Sequence, residues 1–357
     1  MIYFFIMLIV VGTVLELISL RRSTAKISVE FEVSVYSTQP GVPFEIKTVV
    51  TNQSLMPISY LAVAQTYPLH AKLPDKIKTL PRTHSVSLKK ICRVGGRRKK
   101  RISLRSSIDK RGVHIFCADS VEFGDFLGFK EFSERIGIVH EVVVYPSRCE
   151  APELAQALNK FCGDMQARRF LIRDPILTIG TREYTGREPM KEIHWLKSAC
   201  RGELMVKEFD FNREFSVSVL MSVEGILNQD DSELDGICST ARTVCEALCE
   251  KGASVKFFTN ALRRNSGRGH LWQCEVTGAY GGALLEGLGR ATSLECGSLG
   301  ELVAFGLRES DPDCAFILIV PSCEERAGGV LQRLSESTRQ EVLVLKPEPA
   351  PEPVFKL

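Results

Sequence analysis

From Lys26 to about Pro146 the chain alternates apolar and polar residues, and no other feature of its 357 residues restricts the fold so strongly. "KISVEFEVSVY" begins the pattern, and "PFEIKTVVTNQS" repeats it after the turn signal Gln39-Pro40-Gly41. "ISYLAVAQ", "HSVSLKKICRV", "RISLRSS", "GVHIFCADSVEF" and "HEVVVYP" extend it. A period of two puts alternate side chains on opposite faces of a strand, and short strands separated by turns stack as an antiparallel sandwich. The sequence therefore predicts a β-sandwich over 26–147. Nothing in it gathers catalytic groups, which points to spacing or packing as its work.

One charged run interrupts this pattern. "RVGGRRKKRISLR", Arg93 to Arg105, holds seven cations and no carboxylate. Gly95-Gly96 suits a hairpin turn that needs positive φ, so the plain reading is a solvated hairpin tip. A sharper one places Arg97, Arg98, Lys99, Lys100 and Arg101 against anionic lipids of an inner leaflet. Nucleic acid is disfavoured because no aromatic side chains are interleaved for base stacking.

After Phe215 the pattern changes. "FSVSVLMSV" is a continuous apolar run suited to a buried strand, and "ASVKFFTN" and "AFILIVPS" follow it. Between them "SELDGICSTARTVCEALCEKG" reads as a helix with Ile237, Ala241, Val244, Cys245 and Leu248 on one face, stopped at Gly252. Further helices are predicted around "GGALLEGLGRAT", "GELVAFGLRES" and "EERAGGVLQRLSE", with a last strand at "EVLVLKP". Alternating strands and helices with doubly buried strands predict a mostly parallel sheet covered on both faces, an α/β domain over 214–347. Residues 148–213 read as a helical and linker segment, with a helix at "PELAQALNKFCGDMQARRFL". The end, 348–357, is Pro-rich and extended.

The N-terminal "MIYFFIMLIVVGTVLELISL" carries one charge, Glu16, in twenty residues, and Arg21, Arg22 and Lys26 come directly after it. A bilayer core of roughly 30 Å takes about 20 helical residues. The sequence therefore predicts a transmembrane helix over 1–20, and the basic flank predicts a single-pass protein of the cell membrane with its C-terminal domains cytoplasmic. A cleaved signal peptide fits less well, since there is no basic n-region and no small-x-small cleavage site.

Net charge is +3, too small to imply a nucleic-acid partner by itself. Twelve cysteines are scattered among apolar neighbours without a C-x-x-C pair, which speaks against structural zinc and against a disulfide framework. They read as small hydrophobes in a reducing compartment.

The chemistry-bearing side chains concentrate in "IGTREYTGREPMKEIHWLKSACRGELMVKEFDF", Ile179 to Phe211. Gly180, Arg182, Tyr184, Ile193, Trp195, Ser198, Ala199 and the following "LMVKEFD" resemble the signature of the domain of unknown function 58 family. Arg187 stands where that family usually has Gly, Glu188 replaces Asp, Lys191 replaces Arg, and Cys200 takes an Arg position. The resemblance extends loosely along the chain, with "RGVHIFCADSVEFGDFLGF" also similar. It implies a multidomain protein: a membrane anchor, a β domain, and an α/β domain like the von Willebrand factor A fold, of Rossmann type. It also implies a scaffold or adaptor role with a protein partner, a MoxR-type AAA+ ATPase, in assembly or chaperone-like work.

The likeness raises the question of a metal-ion-dependent adhesion site, Asp-x-Ser-x-Ser after the first strand of the α/β domain. Met221 takes the Asp position, Val223 and Gly225 the two Ser positions, and Glu224, Asp230 and Asp231 are no obvious substitutes, so no metal is expected. No cofactor is expected either. Three readings of 179–211 remain. Cys200 with His194 as base and Glu192 or Glu188 as orienter would make a thiol hydrolase, although no nucleophile turn surrounds Cys200. Arg182, Lys191, Lys197 and Arg201 could clamp an acidic or phosphorylated partner. In the blander reading they pair with Glu183, Glu188, Glu192 and Glu203, while Tyr184 and Trp195 wedge between domains. The residues set aside for docking are Arg182, Tyr184, Glu188, Lys191, His194, Trp195, Lys197 and Arg201.

Overall fold

The computed structural model describes residues 2–22, 27–55, 57–74, 79–81, 85–124, 131–169, 178–209, 215–226, 231–265, 269–276, 281–311, 314–321, 329, 332, 334 and 342–347. The chain divides into two compact units, one of residues 1–147 with 285–291, the other of 148–284 with 292–357. The predicted tail 348–357, most of the predicted helix around 324–336, Asp230 and residues 125–130 of the late β motif lie outside the described residues.

The first unit opens with helix α1 (Ile2–Arg22) and continues through ten strands: β1 (Ile27–Val33), β2 (Ser37–Thr38), β3 (Phe44–Asn52), β4 (Ile58–Pro68), β5 (Ala71–Lys72), β6 (Thr79–Pro81), β7 (Ser85–Val94), β8 (Lys99–Ile108), β9 (Gly112–Gly124) and β10 (Glu131–Val144). They form a four-stranded sheet β1-β3-β8-β5 and a six-stranded sheet β2-β10-β9-β4-β7-β6. The period-two pattern is realised directly. In β3, Phe44, Ile46, Thr48, Val50 and Asn52 turn inward while the residues between them stay more exposed. Phe31, Phe44, Ile46, Leu104 and Ile108 from one sheet meet Tyr67, Leu88, Phe116, Val142 and Val144 from the other, and these contacts define a sandwich core. Phe116 stands edge-on to both Phe44 and Tyr67, each at 5.7 Å between ring centroids. Each such buried ring or branched side chain is worth roughly 1.5–3 kcal/mol over its exposed state.

Polar groups inside the sandwich are paired. Gln65 donates through Nε2 to Thr48 Oγ1 at 2.6 Å and accepts at Oε1 from the Tyr67 hydroxyl at 2.6 Å. Burial pushes the Tyr67 hydroxyl's pKa up. On β10 a bulge between Arg135 and Ile138 uses Gly137 at φ +65°, where a side chain would be strained. Arg111, buried in the β8–β9 connection, donates from Nη1 to the carbonyls of Leu288 (2.9 Å) and Ala291 (3.0 Å) in the 285–291 segment of the same unit.

Two expectations are corrected here. Among the described residues no helix is long and apolar enough to cross a membrane. The transmembrane segment 1–20 and the single-pass cell-membrane localisation are therefore not supported. The second correction concerns the basic run. β7 and β8 belong to different sheets, so Gly95–Arg98 is an arch from one sheet to the other and not a hairpin tip.

The second unit contains α2 (Pro152–Arg169), β11 (Thr178–Glu183), a 3-10 turn (Met190–Glu192), α3 (Trp195–Arg201), β12 (Met205–Phe209), β13 (Phe215–Met221), α4 (Asp231–Glu250), β14 (Ala253–Thr259), β15 (Ala261–Arg263), β16 (Trp272–Val276), α5 (Gly282–Arg290), whose end belongs to the first unit, β17 (Ala291–Glu295), α6 (Leu299–Glu309), β18 (Ala315–Ile319) and β19 (Val342–Leu345). A five-stranded sheet runs β16-β14-β13-β18-β19. β13 is parallel to β14 and β18, β18 is parallel to β19, and the edge strand β16 is antiparallel to β14. Val217 to Met221 are buried on both faces. On one face Leu220, Phe258, Phe316 and Leu318 pack with Leu299, Leu302 and Val303 of α6. The approach is close: a Cβ on Gly306 would lie 2.6 Å from Leu220 Cδ2. α4 buries Ile237, Ala241, Val244, Cys245 and Leu248 completely.

The fold class expected for the chain is corrected as well. Among the described residues strands predominate and most of their ladders are antiparallel, so the protein is mostly β and not an α/β chain of Rossmann type. The five-stranded sheet is mixed, and no von Willebrand A-like assignment is drawn from it. Doubly buried strands such as β13 and β18 read as parallel-sheet strands from sequence. The antiparallel edge β16, which exposes Gln273 and Glu275, leaves no such signal.

Candidate functional site

Residues 178–209 build a small module inside the second unit. β11 pairs antiparallel with β12, placing Arg182 opposite Val206 and Glu183 opposite Met205. Ile193 bridges to Val206, and His194 N donates to Met205 O at 2.8 Å, which fixes the chain that leads into α3. Ile193, Met205 and Val206 are buried and anchor the module.

α3 has only seven residues, too few to hold a helix without help. Three local devices supply it. His194 is its N-cap, with Nδ1 accepting from Lys197 N at 3.3 Å. Gly202 closes the other end at φ +73° and donates to Ser198 O. Ser198, buried on the inner face, accepts from Met205 N at 2.8 Å and donates to His194 O at 3.0 Å. Ile193 and Ser198, which belong to the stretch that resembles the signature, thus have structural roles, and so does Gly202 beside them.

The loop before α3 is organised by Glu188. Its Oε1 accepts from Thr185 Oγ1 (2.7 Å) and pairs with Arg182 Nη1 (2.6 Å), while Oε2 accepts from the amides of Thr185 (3.1 Å) and Arg187 (3.3 Å). Gly186 at φ +86° allows the turn. The Thr185 hydroxyl first, then the Arg182 guanidinium and the amides, hold the Glu188 carboxyl down from its usual 4.5 to about 2.

The structure pairs the side chains of Arg182 and Glu188, and among the other candidates it joins His194 Nδ1 to the Lys197 amide. Among the described residues Lys191 and Arg201 have no carboxylate partner, and Lys197 donates to Thr181 Oγ1 at 3.3 Å. Of the expected network, the Arg182–Glu188 ion pair is present among the described residues. Trp195 is 59% exposed, while Tyr184 is half-buried and donates its amide to Leu204 O at 2.9 Å. Leu196 is 74% and Met190 69% exposed, and Leu204 is exposed too. Because i and i+4 share a helix face, Trp195 stacks over Ala199, Leu196 over Cys200, and Lys197 over Arg201.

For the hydrolase reading, His194 Nδ1 is occupied in capping α3, and Cys200 is exposed without a hydrogen-bond partner among the described residues. None of the described cysteines forms a disulfide. Burial pushes the Cys274 thiol up to about 12 and the Cys245 thiol well above its usual value.

Two buried asparagines escaped the sequence reading. At the end of β14, Asn260 accepts at Oδ1 from Val223 N (2.9 Å) and donates to Gly297 O (2.9 Å) and Ser222 Oγ (3.3 Å). Glu224 Oε2 accepts from Leu299 N at 2.5 Å. Met221 and Val223, at the adhesion-site positions, are buried, and among the described residues no three His, Cys, Asp or Glu side chains are placed to hold a metal ion. In the sandwich Asn52 occupies the corresponding place between two loops. Asn-x-Ser at 52–54 was the available signal, since a short amide side chain followed by Ser favours a local turn.

No family model matches the chain, and no curated protein matches it. Among solved structures, the cohesin module of a family 33 glycoside hydrolase from Clostridium perfringens is 10% identical, covers 34% of this chain and 98% of that one, and has a TM-score of 0.26. A non-cellulosomal cohesin from Archaeoglobus fulgidus is 12% identical over 34% of this chain and 91% of that one, with a TM-score of 0.24. A type I cohesin from Clostridium thermocellum, solved in complex with a dockerin, is 11% identical over 33% and 99%, also at 0.24. Scores this low carry no argument about what this chain does. They define no family, and the class rests on the coordinates: a β-sandwich unit and a mixed-sheet unit bearing a capped, outward-facing helix.

Proposed function

We propose that the chain is a non-enzymatic binding protein, a scaffold or adaptor that docks a protein partner on the outer face of α3. The observation carrying this reading is the exposure of Trp195 and Leu196 on a helix that is capped at both ends and pinned by Ser198, with exposed Met190 in the turn just before it. A helix fixed this firmly presents its apolar side chains with little ordering left to be done on binding, and aromatic anchors of this kind dominate interface energetics. Exposed Lys191, Lys197 and Arg201 surround them and suit a partner with a carboxylate rim. The resemblance of 179–211 to the domain of unknown function 58 signature makes a MoxR-type AAA+ ATPase the first partner to test.

The test is the affinity of the purified full-length chain for a MoxR-type ATPase from the same genome, with a slowly hydrolysed ATP analogue. It is compared with Trp195→Ala/Leu196→Ala, two exposed positions whose loss leaves the core intact. Loss of an anchor pair is expected to weaken binding by about thirtyfold or more, the usual hot-spot effect. Equal binding by both proteins rejects α3 as the site, and no binding by the unaltered chain rejects this partner.

A further inference from the structure

The arch between β7 and β8 is stitched to the β3–β4 connection by Asn52. Its Nδ2 donates to Gly95 O (3.2 Å), its amide donates to Arg98 O (3.0 Å), and its Oδ1 accepts from Ser54 N (2.9 Å) and Ser54 Oγ (2.7 Å). Arg97 N donates to Ser54 O at 2.8 Å. Gly96 lies so close to this connection that a Cβ there would sit 2.0 Å from Leu55 O. Next to it, Arg97 is held at φ +52°, a backbone region where Gly or Asn sits far more easily. Backbone strain of this kind gathers at sites of use.

Beyond the arch the cations continue along β8. Ile102, Leu104 and Ser106 turn inward, so Lys99, Arg101 and Arg105 share the outer face with Ser103. Arg93, Arg97, Arg98, Lys99, Lys100, Arg101 and Arg105 are all exposed, and none has a carboxylate partner among the described residues. On its outer edge β8 is paired, among the described residues, only at Ser107 and Ile108, by β5. Lys99 to Ser106 therefore offer backbone groups on that edge together with outward cations at 99, 101 and 105, with Ser103 between the last two. Same-face side chains of a strand repeat at about 6.8 Å, and the alternate side chains of an extended peptide repeat at that spacing too.

We infer that this edge is a docking strand for an extended acidic peptide segment of a protein partner, added alongside β8 with its carboxylates at every second position. Strand addition supplies the backbone hydrogen bonds, and directly opposed cross-strand pairs lie close enough for Arg101 and Lys99 to meet carboxylates. Single-stranded nucleic acid fits less well, since Ile91 to Ile108 contain no aromatic ring to stack a base. A flat anionic lipid surface fits less well too, because the cations extend from the arch for about 20 Å along a strand face, and the membrane anchor that motivated that reading is not supported. The surface is separate from α3 and does not depend on the reading given there.

The test uses the full-length chain and an end-labelled octapeptide alternating Thr and Glu, followed by fluorescence anisotropy. Comparison probes are the same peptide with every Thr replaced by Pro, vesicles containing phosphatidylserine, and a DNA duplex. The Thr-Glu peptide is expected to bind and to slow amide hydrogen exchange across 99–106. Lys99→Glu/Arg101→Glu/Arg105→Glu is expected to weaken it by about tenfold or more, as charge reversal at an interface does. Should that triple variant misfold, Arg101→Gln with Arg105→Gln answers the same question at lower charge. Trp195→Ala/Leu196→Ala is expected to bind the peptide unchanged, which separates this site from α3. The inference is overturned if the Pro-containing peptide binds equally well, if charge reversal has no effect, or if vesicles or duplex bind and the Thr-Glu peptide does not.

Discussion

Asn52 and Asn260 are both buried asparagines that tie one loop to another, yet the surfaces around them differ. Asn260 is wholly enclosed: its amide joins Val223, Ser222 and Gly297, and its own carbonyl accepts from Cys296 N at 2.7 Å. Asn52 makes similar bonds directly beneath exposed cations, with the strained Arg97 next to them. One network closes the end of a sheet, and the other fixes charges toward solvent. The contrast shows that a buried amide locates a rigid place in the chain but does not by itself mark a site. What the rigid place presents decides that.

The largest effect is expected at Gly96. A Cβ in contact with the Leu55 backbone oxygen cannot be relieved by a rotamer change, so Gly96→Ala is expected to cost about 3 kcal/mol, read as a lowered urea midpoint at constant slope. A cost under half of that would mean the arch is looser than described. Next comes Asn260→Ala, which orphans the Val223 amide and the Gly297 carbonyl in a closed interior and should cost about 2–3 kcal/mol. Asn52→Ala should cost about 1–2 kcal/mol, because water can reach part of the arch. If the two losses came out in reverse order, the distinction between a closed network and a platform would be lost.

Arg97→Asn sharpens the contrast in the opposite direction. Removing a poorly tolerated positive φ should raise stability by about 0.5–1 kcal/mol, while binding of the acidic peptide weakens. A variant that gained stability and kept full affinity would separate the strain from any function.

The smallest effect concerns the loop before α3. Because the folded-state pKa of Glu188 lies below its unfolded value, the stability it contributes is complete above about pH 4.5 and is lost as pH falls toward 2. In a Trp272→Phe background, Trp195 fluorescence should report a local acid transition in that window, and Glu188→Gln should remove it. An unchanged transition would assign the acid sensitivity to another group.

Several features were open to reading in advance. Period-two alternation in "PFEIKTVVTN" and helical spacing of Ile237, Ala241, Val244, Cys245 and Leu248 depend on neighbours along the chain, and the strands and the helix formed where those patterns stood. The cluster of charges in 179–211 was visible, but its pairing was not. Four acids and four cations near one another in sequence suggested a network, whereas the fold turned Glu188 toward Arg182 and left Lys191 and Arg201 exposed. Gly95-Gly96 announced a turn, yet whether that turn joins two strands of one sheet or crosses between two sheets depends on partners chosen far away, β4 for one strand and β3 for the other.

The sequence by itself determined where chain segments extend or coil and which of their faces are apolar, because those properties follow from the residue-to-residue geometry of strands and helices. Tertiary structure alone decided the mixed sheet with its antiparallel edge β16, the crossing arch held by Asn52, and the exposure of Trp195. Each of these depends on hydrogen bonds and packing between residues distant in sequence, and such contacts have no local period to betray them.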